Sequence, residues 1–251
     1  MNARRAKERT REEQQLFDAQ VAEEMRRGDM RRRLLLLVTI AAVAALLIVA
    51  LVGISRQETS TPDAAREQLR AVPQQGVVLG DANAPLTLTE TADLQCPFCA
   101  TFSDQAMPAI IDRYVKTGKV KIKLNVIAFL GSDSERAARA AYAAARQNKM
   151  YDFVQAFYAR QGRENSGYVT DEWLRELASA IPGLDVERMM RDRTSSEVTA
   201  AMHRAEQDAD RLKVTGTPAF HAGEGSDRKT LRPRALTSDE FVKLIEEQLQ
   251  R

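Results

Sequence analysis

Cys96 and Cys99 are the only two cysteines in a chain of 251 residues, and they frame the segment Cys96-Pro97-Phe98-Cys99. Two thiols at this spacing can close into a small disulfide, open to a dithiol, or supply half of a metal site. A structural staple is the weakest of these readings. The chain-entropy model credits so short a loop with only about 2 kcal/mol, against about 3 kcal/mol for a 15-residue loop. A structural zinc needs four ligands, and the chain has no second cysteine pair. Its two histidines, His203 and His221, do not stand at finger-like spacing. The pair is therefore read as redox-active: the reacting group is a Cys96–Cys99 disulfide, with no added cofactor and no metal.

The flanking residues say how the thiols are held. Leu86-Thr87-Leu88-Thr89-Glu90-Thr91 alternates with period two and is rich in Thr, which predicts a strand. After a turn through Ala92 to Gln95, Pro97 suits the first position of a helix, where no N–H is needed. Cys96 then sits at a helix N-terminus, whose free N–H groups favour thiolate over thiol. Cys99, one turn further in, is less exposed. Cys96 is thus the expected nucleophile and Cys99 the resolving thiol. Phe98 is expected beside the sulfurs and open to solvent. Glu90 shares a strand face with Leu86 and Leu88. It is either a strand-end carboxylate turned to water or a partly buried acid with a raised pKa that exchanges a proton with Cys99. Far downstream, Val214-Thr215-Gly216-Thr217-Pro218-Ala219-Phe220 places a proline at the start of a short apolar strand. It is either an ordinary trans edge residue or a cis proline.

Strand, Glu90, Cys96-Pro97-Phe98-Cys99, a long insertion and then Gly216-Thr217-Pro218 together resemble the DsbA-like branch of the thioredoxin superfamily. The similarity runs from about Gly76 to the C-terminus. It implies an α/β thioredoxin fold with an inserted all-helical subdomain at about 133–212. It implies a cis Thr217–Pro218 bond beside the disulfide and a Thr217 backbone that pairs with an extended substrate segment, with Pro97 and Phe98 at the same surface. It also places Glu90 at the family's buried acid position. Two departures stand out: Phe98 occupies a position where many members carry His, and His221-Ala222-Gly223-Glu224-Gly225 replaces the more usual apolar hairpin.

The remaining chain predicts where this domain works. Net charge is +2, so a bulk electrostatic partner such as nucleic acid is not indicated. Residues 1–33 form a tail of mixed charge. Residues 34–54 carry no charge and are long enough to span about 30 Å of hydrocarbon as a helix. They read as a retained signal anchor, since a cleaved leader has a shorter apolar core. Arg26, Arg27, Arg31, Arg32 and Arg33 precede it and only Arg56 follows closely, which puts the N-terminus in the cytoplasm and the cysteines outside, where disulfides persist. Residues 55–75 read as a linker and 76–251 as the DsbA-like domain. Within it, Val120 to Val126 alternates as a second strand. Five helices are expected at about 133–147, 149–161, 170–181, 184–191 and 196–212. Pro108 should kink the helix that follows the cysteines. Thr237 and Glu240 should form a capping box, and Arg228, Lys229, Arg232 and Arg234 read as a solvated edge. Met189, Met190 and Met202 are core packing or the lining of a peptide groove.

The expectation is a single-pass membrane protein that exchanges disulfides with exported cysteine-containing proteins. Resemblance implies a membrane quinone-linked thiol oxidase as its partner. Two alternatives stay open: a reductase or isomerase fed by a membrane electron donor, and a peptide-binding, chaperone-like module whose thiols are incidental.

Overall fold

A computed structural model describes residues 68–250. The charged tail, the apolar span 34–54 and most of the expected linker lie outside the described residues. Among those described, no helix is long and apolar enough to cross a membrane.

The Thr-rich alternating segment forms β3 (Leu86–Ala92), near the middle of a six-stranded sheet. The order is β1 (Gln74–Gln75), β2 (Val78–Leu79), β4 (Val120–Val126), β3, β5 (Ala219–Ala222) and β6 (Lys229–Leu231). β3 pairs in parallel with β4, Glu90 opposite Leu124, and antiparallel with β5, Glu90 opposite Phe220. The register thus brings the acid and the segment after Pro218 to one level of the sheet. The parallel pair is joined through α1 (Pro97–Gln105), α2 (Met107–Ile110) and a π-turn (Ile111–Val115), as parallel strands require a crossover. α8 (Ser238–Leu249) packs against the same crossover through Phe102, Phe220 and Phe241, whose ring centroids are 4.5–4.7 Å apart.

Between β4 and β5 come five helices: α3 (Ser132–Ala145), α4 (Met150–Tyr158), α5 (Asp171–Ser179), α6 (Val186–Asp192) and α7 (Ser196–Arg211). Each starts and ends within about three residues of its expected position. They are tied to the sheet by buried hydroxyls. Tyr151 donates to the carbonyls of Ile122 (2.8 Å) and Val77 (3.2 Å), and Tyr142 donates to that of Val126 (3.1 Å).

Four local expectations are corrected. The sheet begins before residue 76: Gln74–Gln75 pairs with Val78–Leu79 through a turn at Gly76 (φ +58°), and Leu69 and Val72 are buried in the core. The end of the expected linker is therefore part of the domain, held by Gln74 on Asp152 (2.8 Å). Pro108 does not bend one continuous helix. The helix ends at Gln105, and Pro108 lies in the first turn of the next segment, where its missing N–H costs nothing. Thr237 is the N-cap of α8, but its side chain makes no cap bond, and Glu240 Oε1 accepts from the Arg234 N–H instead (3.0 Å). The capping box does not form.

The fourth correction concerns Arg228, which is not a solvated edge residue. It donates two bonds of 2.7 Å to Asp208 of α7, a carboxylate only 3 % exposed that also accepts from Asn125 of β4 (2.9 Å). These bonds, led by Arg228, hold the Asp208 carboxyl well below the usual range. The cluster joins the helical insertion to the interior strand β4 and, through Arg228, to the start of the edge strand β6. Arg228→Met is expected to cost about 2 kcal/mol in urea unfolding. Losing one partner of a buried pair usually costs more, but Arg211 and Lys123 still face Asp208.

Candidate active site

Cys96 is the N-cap of α1, in extended conformation (φ −73°, ψ 120°), with Pro97 opening the helix. Cys96 is 4 % exposed and Cys99 fully buried, and both are free thiols. The Thr217–Pro218 bond is cis, and the Cys96 thiol donates to the Thr217 carbonyl at 3.2 Å. Thr217 and Pro218 are half-buried, while Pro97 and Phe98 are exposed. Phe98, at 64 %, is the most exposed large apolar residue among those described. The Cys96 thiol, the cis proline and an apolar rim therefore come together, with Cys99 buried beneath them. Glu90 lies behind them, 3 % exposed.

The electrostatics separate the two sulfurs. The Cys96 pKa is lowered to about 6. The largest cause is the hydrogen bond from the Cys99 thiol; Thr217 and the N–H groups of Cys99 and Phe98 add to it against burial. The helix N-terminus expected from sequence thus contributes less than the partner thiol. Cys99 is pushed well above the usual thiol range by burial, by its bond to Cys96 and by the charges of Glu90 and Cys96. Glu90 is raised to about 8, first by burial and then by Cys96. A nucleophile ionised near neutral pH thus sits in front of a protonated thiol and a protonated acid.

What holds this arrangement was missed in the sequence. Asp93 is fully buried and accepts four hydrogen bonds: from the N–H groups of Gln95 (2.8 Å), Phe129 (2.7 Å) and Leu130 (2.9 Å) and from the Ser134 hydroxyl (2.7 Å). It closes the turn before Cys96 and ties it to the start of the insertion. Gln95 donates to the Tyr168 hydroxyl and accepts from the Asn165 N–H, both at 2.8 Å. Gln161 donates to the carbonyls of Leu94 (2.8 Å) and Cys96 (3.2 Å). The only available signal was Asp93 two residues before Gln95, the pattern of an Asx turn. The long-range partners carry no local signature. Asp93→Ala is expected to lower stability by about 3 kcal/mol in urea unfolding, because it leaves several buried donors unpaired. A loss under 1 kcal/mol would mean that the turn holds itself.

Other candidates do not join the site. His203 is exposed and faces Glu206 (3.4 Å), and His221 is buried with both ring nitrogens unpartnered. Met189 and Met190 are core. Met202 lines an open cavity of about 550 Å³ with Phe129, Arg139 and His203.

Residues 73–247 match the family described as Thioredoxin. The chain is 29 % identical over 146 residues to a protein of Bacillus anthracis named "Probable disulfide bond formation protein D", covering 57 % of this chain and 67 % of that one. It superimposes on the oxidised crystal structure of BdbD from Bacillus subtilis with a TM-score of 0.62 at 22 % identity, covering 72 % of this chain and 98 % of that one. On the crystal structure of Wolbachia pipientis alpha-DsbA1 the TM-score is 0.56 at 20 % identity, covering 69 % and 90 % of the two chains. With the cysteine pair at the helix start, the cis proline against it and the helical insertion behind it, the chain belongs to the thioredoxin family and is a thiol–disulfide oxidoreductase.

Proposed function

We propose that this oxidoreductase works in the oxidising direction, donating the Cys96–Cys99 disulfide to exported cysteine-containing proteins. A substrate thiolate attacks Cys96; the bond to Cys99 breaks and its electron pair goes to the Cys99 sulfur. The protonated Glu90 carboxyl supplies the proton that Cys99 takes up. A second substrate thiolate then attacks the substrate sulfur of the mixed disulfide. Cys96 leaves as thiolate, and the substrate carries the new disulfide. Thr217 and Phe98 flank the reacting sulfur, where an extended segment of substrate would lie.

The observation that carries this reading is the unequal pair of thiols. A Cys96 ionised near neutral pH is a good leaving group, and a stabilised thiolate favours the reduced form, as in an oxidant. The name of the Bacillus anthracis relative supports the same direction. The apolar run 34–54, with arginines before it, supports a cytoplasmic N-terminus and a catalytic domain anchored outside. A membrane quinone-linked thiol oxidase would reoxidise the pair.

The test is the reduction potential of the full-length chain, equilibrated with glutathione in detergent. A value of about −180 to −120 mV is expected, well above the −270 mV or so of thioredoxin. A value at or below about −270 mV would replace this reading by the reductase. A pair that never equilibrates with glutathione would favour a peptide-binding module instead.

A further inference from the structure

The hydroxyl of Tyr158 is buried and has no hydrogen-bond partner. Such a group costs free energy unless something uses it. Its place follows from two bonds on either side of it. α1 and α4 run antiparallel: Ser103 donates to Gln155 (2.7 Å) at one end, and Gln161 donates to the Cys96 carbonyl (3.2 Å) at the other. Between these contacts, stepping back four residues from Ser103 reaches Cys99, and stepping on three from Gln155 reaches Tyr158. Both steps are about one helical turn, so Tyr158 comes level with Cys99. The electrostatics agree. Burial pushes the Tyr158 hydroxyl well above its usual range, and the charges that act on it are, in order, Cys99, Glu90, Asp93 and Cys96.

We propose that the Tyr158 hydroxyl is the hydrogen-bond donor that receives the Cys99 sulfur when it leaves as thiolate. This rests on the disulfide-exchange reading above. When a substrate thiolate attacks Cys96, the substrate–Cys96 bond forms, the Cys96–Cys99 bond breaks, and the electron pair settles on Cys99. That sulfur is fully buried. The Asp93 N–H favours its charge, but burial and the Glu90 charge oppose it. Tyr158 donates a hydrogen bond to the departing sulfur and keeps its own proton, while Glu90 supplies the proton that Cys99 takes up. The hydroxyl idles in the dithiol and is engaged as the bond breaks, which is where a donor accelerates rather than merely binds.

The test is Tyr158→Phe in the full-length chain, which keeps the buried ring. The oxidised protein is opened by dithiothreitol in a single turnover, and separately the reduced protein is alkylated at Cys96 with iodoacetamide. Opening is expected to slow about tenfold, the effect of losing one hydrogen bond to a charged group, with Cys96 alkylation unchanged within about twofold. Unchanged opening would overturn the proposal. Equal slowing of both reactions would also overturn it, since that is damage to packing and not loss of a donor. If the wild-type disulfide is not opened by dithiothreitol at all, it is the exchange reading itself that fails.

Discussion

Cys96→Ser abolishes disulfide exchange with thiol substrates, to the rate of the uncatalysed reaction, while Cys99→Ala traps the exchange halfway. The two outcomes differ because the sulfurs do different work. Ser at 96 cannot take part in a disulfide, so neither the resting bond nor the mixed disulfide forms. With Ala at 99, Cys96 still accepts a substrate sulfur from a mixed-disulfide reagent, but no neighbouring thiol releases it. Complexes should accumulate on non-reducing gels and vanish with dithiothreitol. The same variant reads the electrostatics. The Cys99 thiol is the largest cause of the low Cys96 pKa of about 6. Its removal should therefore move Cys96 upward, towards the ordinary cysteine value of about 8.5, followed by thiolate absorbance. If Cys96 stays near 6 in Cys99→Ala, the helix N-terminus dominates instead. If Cys96→Ser retains exchange, the redox reading is wrong.

Glu90→Gln is the second large effect, and it pulls stability and activity in opposite directions. In the reduced fold Glu90 titrates at about 8, against 4.5 unperturbed. Between those values the folded state holds a proton that the unfolded state has released, so stability falls as pH rises. The contribution is whole below about pH 4.5 and is lost as pH climbs through 8. At pH 7 the penalty is about 3 kcal/mol, and an uncharged Gln of similar shape removes most of it. Cys96 has the opposite sign: its depressed pKa adds stability above about pH 9 that is lost as pH falls through 6. Because it is present in both proteins, it cancels to first order in the comparison. Urea unfolding of the reduced proteins should therefore show Glu90→Gln more stable by about 3 kcal/mol at pH 7 and nearly equal to wild type at pH 4. The cost is proton supply to Cys99, so opening of the disulfide should slow about a hundredfold. A variant no more stable at pH 7 would mean that Glu90 is ionised in the fold.

The order of elements and the placement of the two thiols at a helix start were legible in the sequence, because each has a local signature. Alternation marked β3 and β4, helical periodicity marked the five helices of the insertion, and Pro97 marked the start of α1 at the cysteines. Two thiols three residues apart leave few chemistries open. Burial of Glu90 was half legible: its strand face was clear, but what covered that face was not. The groups that hold the site in place belong to the tertiary structure alone. Asp93 reaches Phe129, Leu130 and Ser134, Gln161 reaches Leu94 and Cys96, and Asp208 reaches Arg228 and Asn125. Except at Arg228, 20 residues from its partner, these contacts join residues 36 or more apart in the chain. A polar side chain looks the same in sequence whether it faces water or a buried backbone donor, and for Arg228 the sequence pointed the wrong way. The cause of the Cys96 shift was decided in the same manner. Sequence supplied the helix N-terminus, but only the packing of Cys99 under Cys96, with Thr217 opposite, made a neighbouring thiol the stronger influence.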